Sequence, residues 1–447
     1  KSTSSQITLS NLIVENNSAG SNGGGISIVS ANVNINNVIS RNNSANNGGG
    51  IHVSVVNGED STSGANKIIN ISHSLINNNT SINAGGAFYV YAGGIAVNKT
   101  LTINMENTTM ALNSSTASGG IGYAQGGQLA DGSGLPTLTL NMTHVTCGRN
   151  TAIGNAINYG IYFNRTHGSA ANNLNFNAYN SIFVAAGTIT ARGINFAYAQ
   201  SPNFINNVSS NLNNTGNIAN NVNNITGLTA GQIGLPTALT DEGGFSNVLA
   251  LTATGDAVDH CTSATGTTLP MLDQRGYTRD ASADAGAFEL GGTLPAPDND
   301  LCDGAIALEC GTTVNGDTTN ATNTDAPIET CGTTLAAGPG VWYTLTFPAG
   351  NDYNVSVDTF ESGFDTKLGV FSGACDALVC VGGNDDTGGL QSQVEFVALA
   401  EETYSVYVTG FSTSAGLFNL NTTCEEIVPP VIELPITFED GQLPILN

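Results

Sequence analysis

The sequence predicts an all-β chain: a right-handed parallel β-helix followed by an antiparallel β-sandwich of jelly-roll type. Three observations carry this. The first part repeats a short asparagine-to-glycine pattern at a regular interval, which is how stacked solenoid coils appear in sequence. Charge changes abruptly near residue 240. Six of the eight cysteines crowd between Cys302 and Cys424, where apolar alternation of the strand period resumes.

The repeat is legible from Ile13 to Asn16 leading into Gly23 to Ile26, and again from Ile39 to Asn42 into Gly48 to Ile51. It recurs from Leu75 to Asn78 into Gly85 to Phe88, and from Met110 to Asn113 into Gly119 to Ile121, with a weaker fifth instance at Cys147 to Asn150. Between these motifs lie alternating runs such as Val33 to Asn36, Leu101 to Met105 and Leu138 to Met142. Every second side chain is apolar, so each run turns one face inward, and stacking the coils buries those faces as one column. Paired glycines suit corners that need positive φ, and asparagines at equivalent positions suit ladders bonded from coil to coil. Insertions at Val56 to Asn66 and Ala92 to Asn98 account for the unequal spacing.

Residues 1–240 hold five acids (Glu15, Glu59, Asp60, Glu106, Asp131) and seven bases, whereas 30 acids and three bases (Arg275, Arg279, Lys367) follow. Nucleic acid is excluded by the acidic second part and finds no basic stripe in the first. No apolar run is long enough to span a membrane as a helix. The clustered, even cysteine set without metal-type spacing reads as disulfides in an oxidising, extracellular or cell-surface setting, with Cys375 to Cys380 as the one pairing short spacing suggests.

The asparagine and glycine repeat resembles that of polymorphic outer-membrane proteins and related bacterial surface β-helices. Asp273 to Arg279 with Asp284 to Glu289 is similar to the terminal motif of choice-of-anchor Q proteins. An open last coil needs a cap, and Arg275 and Arg279 with Asp284 and Glu289 are expected to form its ion pairs. Farther on, Asn299 to Cys302, Gly340 to Tyr343, Phe364 to Leu368, Gly383 to Asp386 and Tyr404 to Gly410 follow the motif order of a pre-peptidase C-terminal-type domain. Such domains recur in secreted Bacteroidetes proteins, and the resemblance implies an accessory or binding module. The expected organisation is therefore a capped β-helix over 1–290, a linker over 291–300, a disulfide-bonded acidic sandwich over 301–425, and a tail over 426–447 that starts a further β-domain or exchanges a strand with another copy.

Catalysis is weighed against the carboxylate supply. A glycosidase needs two carboxylates across a groove and a calcium-assisted lyase needs a cluster on adjacent coils. In the first part only Glu59 and Asp60 are neighbours, and His52, His73, His144 and His167 fall on different coils. No catalytic or cofactor-binding residue is assigned. The leading expectation is a non-catalytic structural or adhesive protein with glycans or surface proteins as partners. A polysaccharide-active enzyme with its site outside these residues and a self-assembling filament subunit stand as alternatives. Asp365, Asn384, Asp385 and Asp386 are candidate ligands for Ca2+, because calcium favours carboxylates mixed with amide and backbone oxygens, the other reading being a hydrated acidic turn.

Overall fold

A computed structural model describes residues 6–55, 66–92, 99–126, 137–153, 159–164, 174–185, 192–195, 200–213, 215–262, 269–327, 330–387 and 389–429. The chain forms two compact units, Lys1–Leu294 and Pro295–Asn447. Glu59, Asp60 and His167 lie outside the described residues, as does the tail beyond residue 429.

The first unit is a parallel β-solenoid. Its long face stacks Gln6–Glu15, Asn32–Arg41, Lys67–Ser72 with Leu75–Asn77, Thr100–Ala111, Thr137–Ala152, Leu174–Tyr179 with Ile182–Ala185, Gln200–Ile205 with Val208–Ser209, and Asn220–Val222. A second face is a seven-stranded parallel sheet running from Ile26–Val29 through Phe88–Tyr91 to Asn211–Asn213. Short strands at Ser44–Asn47, Thr80–Ala84 and Ser114–Ser115 close the coil between them. Register follows the predicted alternation: Ile35 aligns with Ile71, Ile71 with Met105, and Met105 with Met142, all inside the column. Toward the later coils the column is filled by phenylalanines, with Phe163 and Phe176 at 5.0 Å between ring centroids.

Left-handed backbone marks the corners. One corner is occupied by Asn11, Asn37, His73, Asn107, His144, Asn180, Asn206 and Asn223, with φ between 44° and 55°. Asparagine tolerates this region better than other residues with a Cβ, because its short amide bonds locally. The glycine corner holds Gly23, Gly48, Gly85 and Gly119, as the motif predicts. Gly122 has a different reason: a Cβ there would lie 2.0 Å from the Phe88 ring.

Inside the coil runs a buried amide ladder. Asn43 Nδ2 donates to Asn79 Oδ1 (3.0 Å), Asn79 to Asn113 (3.0 Å) and Asn113 to Asn150 (2.9 Å). Each oxygen also accepts the backbone N–H of the preceding member, and Asn113 Nδ2 reaches Ile76 O at 2.8 Å. This ladder corrects the motif alignment. Asn79 stands opposite Asn113, so Asn78 corresponds to Leu112, and the last two repeats align one residue later than the sequence pattern suggests. Two adjacent asparagines in the early coils disguised which one turns inward.

The second unit packs a five-stranded sheet (Ile306–Ala307, Gly340–Thr346, Thr403–Gly410, Thr366–Ser372, Val379–Asn384) on a four-stranded one (Thr313–Asp317, Leu417–Glu426, Tyr353–Asp358, Gln393–Ala398). All its pairings are antiparallel except that of Ile306–Ala307. Val341, Tyr343, Val357, Val370, Val406 and Leu420 fill the space between the sheets. A smaller cluster of Trp342, Phe371, Tyr407 and Leu335 lies with Cys302 and Cys331.

The disulfides are Cys302–Cys375, Cys310–Cys424 and Cys331–Cys380. The short-range pairing of Cys375 with Cys380 is thus overturned. Cys380 sits in a strand opposite Phe371, whereas Cys375 lies in the turn before it, and each meets a cysteine brought in from an earlier loop. Cys147 and Cys261 are buried free thiols, contrary to the expectation that all eight pair. They belong to different apolar clusters, and burial pushes both thiols well above their ordinary range.

Asn113→Ala is expected to cost about 3 kcal/mol, because it strands several buried backbone and amide groups. Asn141→Ala, in the solvent-facing row of the long face, should cost about 1 kcal/mol. Denaturant melts of the full chain compare the two; equal losses would contradict the structural weight given to the buried ladder.

Candidate functional site

Three sets of side chains are candidates for chemistry: the histidines and carboxylates of the coils, the segment after the last coil, and the acidic loops of the sandwich.

The described histidines of the coils are ladder members. His73 and His144 occupy the left-handed corner in place of asparagine, and their Nε2 atoms lie 3.4 Å from Asn107 Nδ2 and 3.1 Å from Asn180 Nδ2. His52 starts an aromatic stack that continues through Tyr89, Tyr123 and Tyr162 at 5.8, 5.2 and 5.4 Å between centroids. Burial lowers the pKa of all three histidines, furthest at His144, so they favour the neutral form. Burial also pushes the Tyr89 and Tyr123 hydroxyls up to about 12. Among the described coil residues Glu15 pairs with Arg41 at 2.6 Å, and Glu106 belongs to a different row three coils away.

The segment after the last coil lies along the side of the solenoid, where an end cap was expected. Leu272 O accepts from Asn107 Nδ2 (2.8 Å), Gln274 Oε1 from Thr109 Oγ1 (2.6 Å), and Thr146 Oγ1 from the Ala287 N–H (2.8 Å). The Gly286 N–H donates to Asn180 O at 2.8 Å. Ala283, Ala285 and Phe288 cover Ile182 and Val208, apolar side chains on the outside of the coils. The motif therefore seals an apolar flank, a demand that periodicity in the strands did not reveal.

Of the expected ion pairs, that of Arg279 with Glu289 forms, while Arg275 and Asp284 take other partners. Arg275 binds Asp273, Nη2 to Oδ2 at 2.7 Å, and its guanidinium stacks between Tyr277 and Phe288, 4.1 Å from each ring centroid. Arg279 binds Glu289, Nη1 to Oε2 at 3.1 Å, and donates through Nη2 to Asn107 Oδ1 and Gly286 O. The Asp284 carboxylate pairs with neither arginine and accepts the N–H groups of Asp259 and Leu290, while its backbone oxygen accepts from Arg279 Nη1 (3.5 Å). Sequence reasoning missed Asp273, although its place two residues before Arg275 suits a tight turn. Burial raises the Glu289 carboxyl to about 7, against two N–H donors and Arg279 that oppose the shift. Each of these charged groups has a structural partner, although Arg279 Nε is buried without one of its own.

In the sandwich, oxygens of Asp365, Asp385 and Asp386 come within 4.8 Å of one another. Burial, then the charges of Asp386 and Asp385, push the Asp365 carboxyl upward, while Lys367 acts in the opposite sense. Lys367 Nζ stands 3.1 Å from Asp385 Oδ2, leaving Oδ1 of Asp365 and of Asp385 buried without a hydrogen-bond donor. Those two oxygens and the uncompensated third carboxylate suit a hard cation. Asn384, beside Asp385, accepts at Oδ1 from Thr387 Oγ1 (2.8 Å) and from the Gln393 N–H (3.3 Å), which fixes the turn.

The chain is thus a parallel β-solenoid with additional antiparallel sheets at its C-terminal end. No protein-family model matches it, and no curated protein does. Among solved structures it is similar to a pre-peptidase C-terminal domain of collagenase from Bacillus anthracis, at 15% identity and TM-score 0.19, over 27% of this chain and 94% of that one. It is similar to PliG of Aeromonas hydrophila, a periplasmic inhibitor of g-type lysozyme, at 16% identity and TM-score 0.18, over 27% and 96% of the two chains. It is also similar to the enzymatically active domain of tailspike protein 4 of bacteriophage CBA120, at 10% identity and TM-score 0.16, over 91% of this chain and 55% of that one. Three disulfides fit a secreted or extracellular protein. Among the described residues no helix is long and apolar enough to cross a membrane.

The raised pKa of Glu289 has a definite sign. A carboxyl that binds its proton more tightly in the folded than in the unfolded state adds stability at low pH, and that contribution is lost as pH rises from about 4.5 through about 7. The buried histidines act oppositely, losing stability as pH falls through their unfolded value. Comparing the parent with Glu289→Gln removes their effect: the parent should lose stability relative to the variant between pH 5 and pH 8. Parallel melting-temperature profiles would contradict the assignment.

Proposed function

We propose that this chain is a non-catalytic extracellular structural or adhesive protein. The solenoid serves as a rigid rod and binding face, with glycans or surface proteins as partners, and the sandwich as an accessory binding or spacer module. The observation that carries this reading is an unbroken row of amides on the outside of the long face. Asn70 Nδ2 donates to Asn34 Oδ1 (2.8 Å), Asn104 to Asn70 (2.8 Å), Asn141 to Asn104 (2.8 Å), Asn177 to Asn141 (2.8 Å) and Asn203 to Asn177 (2.6 Å), and Asn220 bonds Asn203. Side chains bonded to their own equivalents in neighbouring coils stiffen a rod and leave a surface of uniform chemistry. A hydrolase or lyase instead concentrates dissimilar groups at one place on it.

The full chain should release neither reducing nor unsaturated ends from neutral or acidic polysaccharides. Steady release that is lost on mutating a single acid would overturn the reading.

Calcium at the sandwich belongs to the same proposal, with Asp365, Asp385 and Asp386 holding it. Its chemistry there would be structural: a divalent charge offsets the mutual repulsion of three carboxylates and ties their loops together. Calcium in hundredfold excess over its Kd adds about 2.7 kcal/mol to a two-state unit. The sandwich transition of a chelated sample should therefore rise on adding millimolar calcium, and Asp385→Ala should abolish the rise. A transition indifferent to calcium in the parent would rule the site out.

A further inference from the structure

We propose that the first half of the long face binds an extended, neutral, β-linked polysaccharide lying along the solenoid axis. The proposal rests on the non-catalytic reading above and names the surface and the ligand class.

Three parallel rows make the surface. The amide row from Asn34 to Asn220 is the centre. Two residues before it stand Thr102, Thr139 and Asn175 in register, and two residues after it stand Ser72, Glu106 and Thr143. All project outward, because Leu101, Ile103 and Met105 and their equivalents point into the core. Neighbouring coils repeat at roughly 4.8 Å, the spacing of hydrogen-bonded strands. That step is close to the advance of one sugar in an extended β-linked chain, whose successive rings are turned over, so a polymer along the axis presents like groups to alternate coils. A ligand of clearly different repeat falls out of phase within a few coils.

The ladder leaves hydrogen-bonding capacity to spare. An asparagine amide has two N–H donors and two acceptor lone pairs, and along the middle of the row, at Asn70, Asn104 and Asn141, the ladder takes one of each, whereas Asn34 also accepts from Gln6 and Asn203 bonds the Tyr179 hydroxyl. The remaining N–H and lone pair of those middle members are held in one orientation by the bonds along the axis. Little side-chain entropy is then lost on binding a hydroxylated polymer.

Charge selects the class of polymer. Glu106 is the one charged side chain among the described members of the three rows, and no Lys or Arg stands in them to meet a uronate, sulfate or phosphate. The neighbouring surfaces are unsuited. The segment carrying Leu272, Gln274 and Gly286 bonds to the second half of the same strands. On the seven-stranded face the tyrosine rings stack on each other, so their faces are not free for sugar rings.

The test uses the full chain and three insoluble probes: microcrystalline cellulose (neutral, β-linked), crosslinked dextran (neutral, α-linked) and a polygalacturonate gel (acidic). Cellulose should deplete the protein from solution, with little depletion by the other two. The double variant Thr102→Lys/Thr139→Lys puts two long cations on the surface without touching the amide row, and should weaken the partition roughly tenfold or more. Its melting curve reports whether it folds; if it does not, Thr143→Lys, on the other flanking row, decides. Unchanged binding by a folded variant, or equal binding to all three probes, overturns the proposal. No binding and no sugar release overturns it while leaving the non-catalytic reading intact. Release of soluble reducing sugar from cellulose overturns that reading instead.

Discussion

The coil-to-coil amide bond is the constraint on which the solenoid depends. A parallel stack of coils pairs its strand backbones continuously, but at each corner the chain leaves the sheet and its N–H and C=O groups lose their strand partners. The buried row of Asn43, Asn79, Asn113 and Asn150 answers this, each side chain accepting one backbone N–H and donating to one carbonyl while bonding its equivalent in the next coil. A residue that must satisfy four partners in one geometry leaves no room for substitution by a shorter or branched side chain. A separate row five residues earlier in the coil works in the same way, the Ser181 backbone N–H bonding the Asn207 amide oxygen and the Val145 N–H the Ser181 hydroxyl.

Given that register, the remaining features follow by repetition. Any side chain projecting from one coil meets its equivalent in the next, so identical residues stack: asparagines at the corner, tyrosines on the seven-stranded face, phenylalanines in the late core. The histidines are absorbed into the same rows. Stacking also decides their protonation, since a ring packed between coils is desolvated and holds its neutral form. The same constraint makes the outer surface periodic, which suits recognition of a periodic ligand better than the localised chemistry of a cleft.

The sandwich is held by different means. Its two sheets enclose a modest apolar core, and three disulfides join positions 49 to 114 residues apart in the chain, two of them reaching a strand at Cys380 and Cys424. Long closed loops lose the most conformational freedom in the unfolded state, which suits a unit with a heavy excess of like charge. The single lysine of this unit stands against Asp385 and over the Phe411 ring, so local neutralisation falls where the carboxylates crowd.

Periodicity was enough to determine the fold class, because apolar alternation and recurring glycines report local geometry that every coil must repeat. It also marked strand-period alternation between Cys302 and Cys424, where strands with inward faces such as Gly340–Thr346 and Thr403–Gly410 lie. It passed over Thr313–Asp317 and Val379–Asn384, whose exposed, glycine- and polar-rich residues carry no such signal. What only the tertiary structure decided were contacts between residues distant in sequence. These include which asparagine of each pair enters the ladder, that Arg279 reaches Asn107 on a coil far earlier, that the closing motif covers a flank, and that Cys375 and Cys380 take partners other than each other. A local pattern can announce that a residue is needed. It does not say which surface will be brought against it, because that depends on how every intervening coil and loop is stacked.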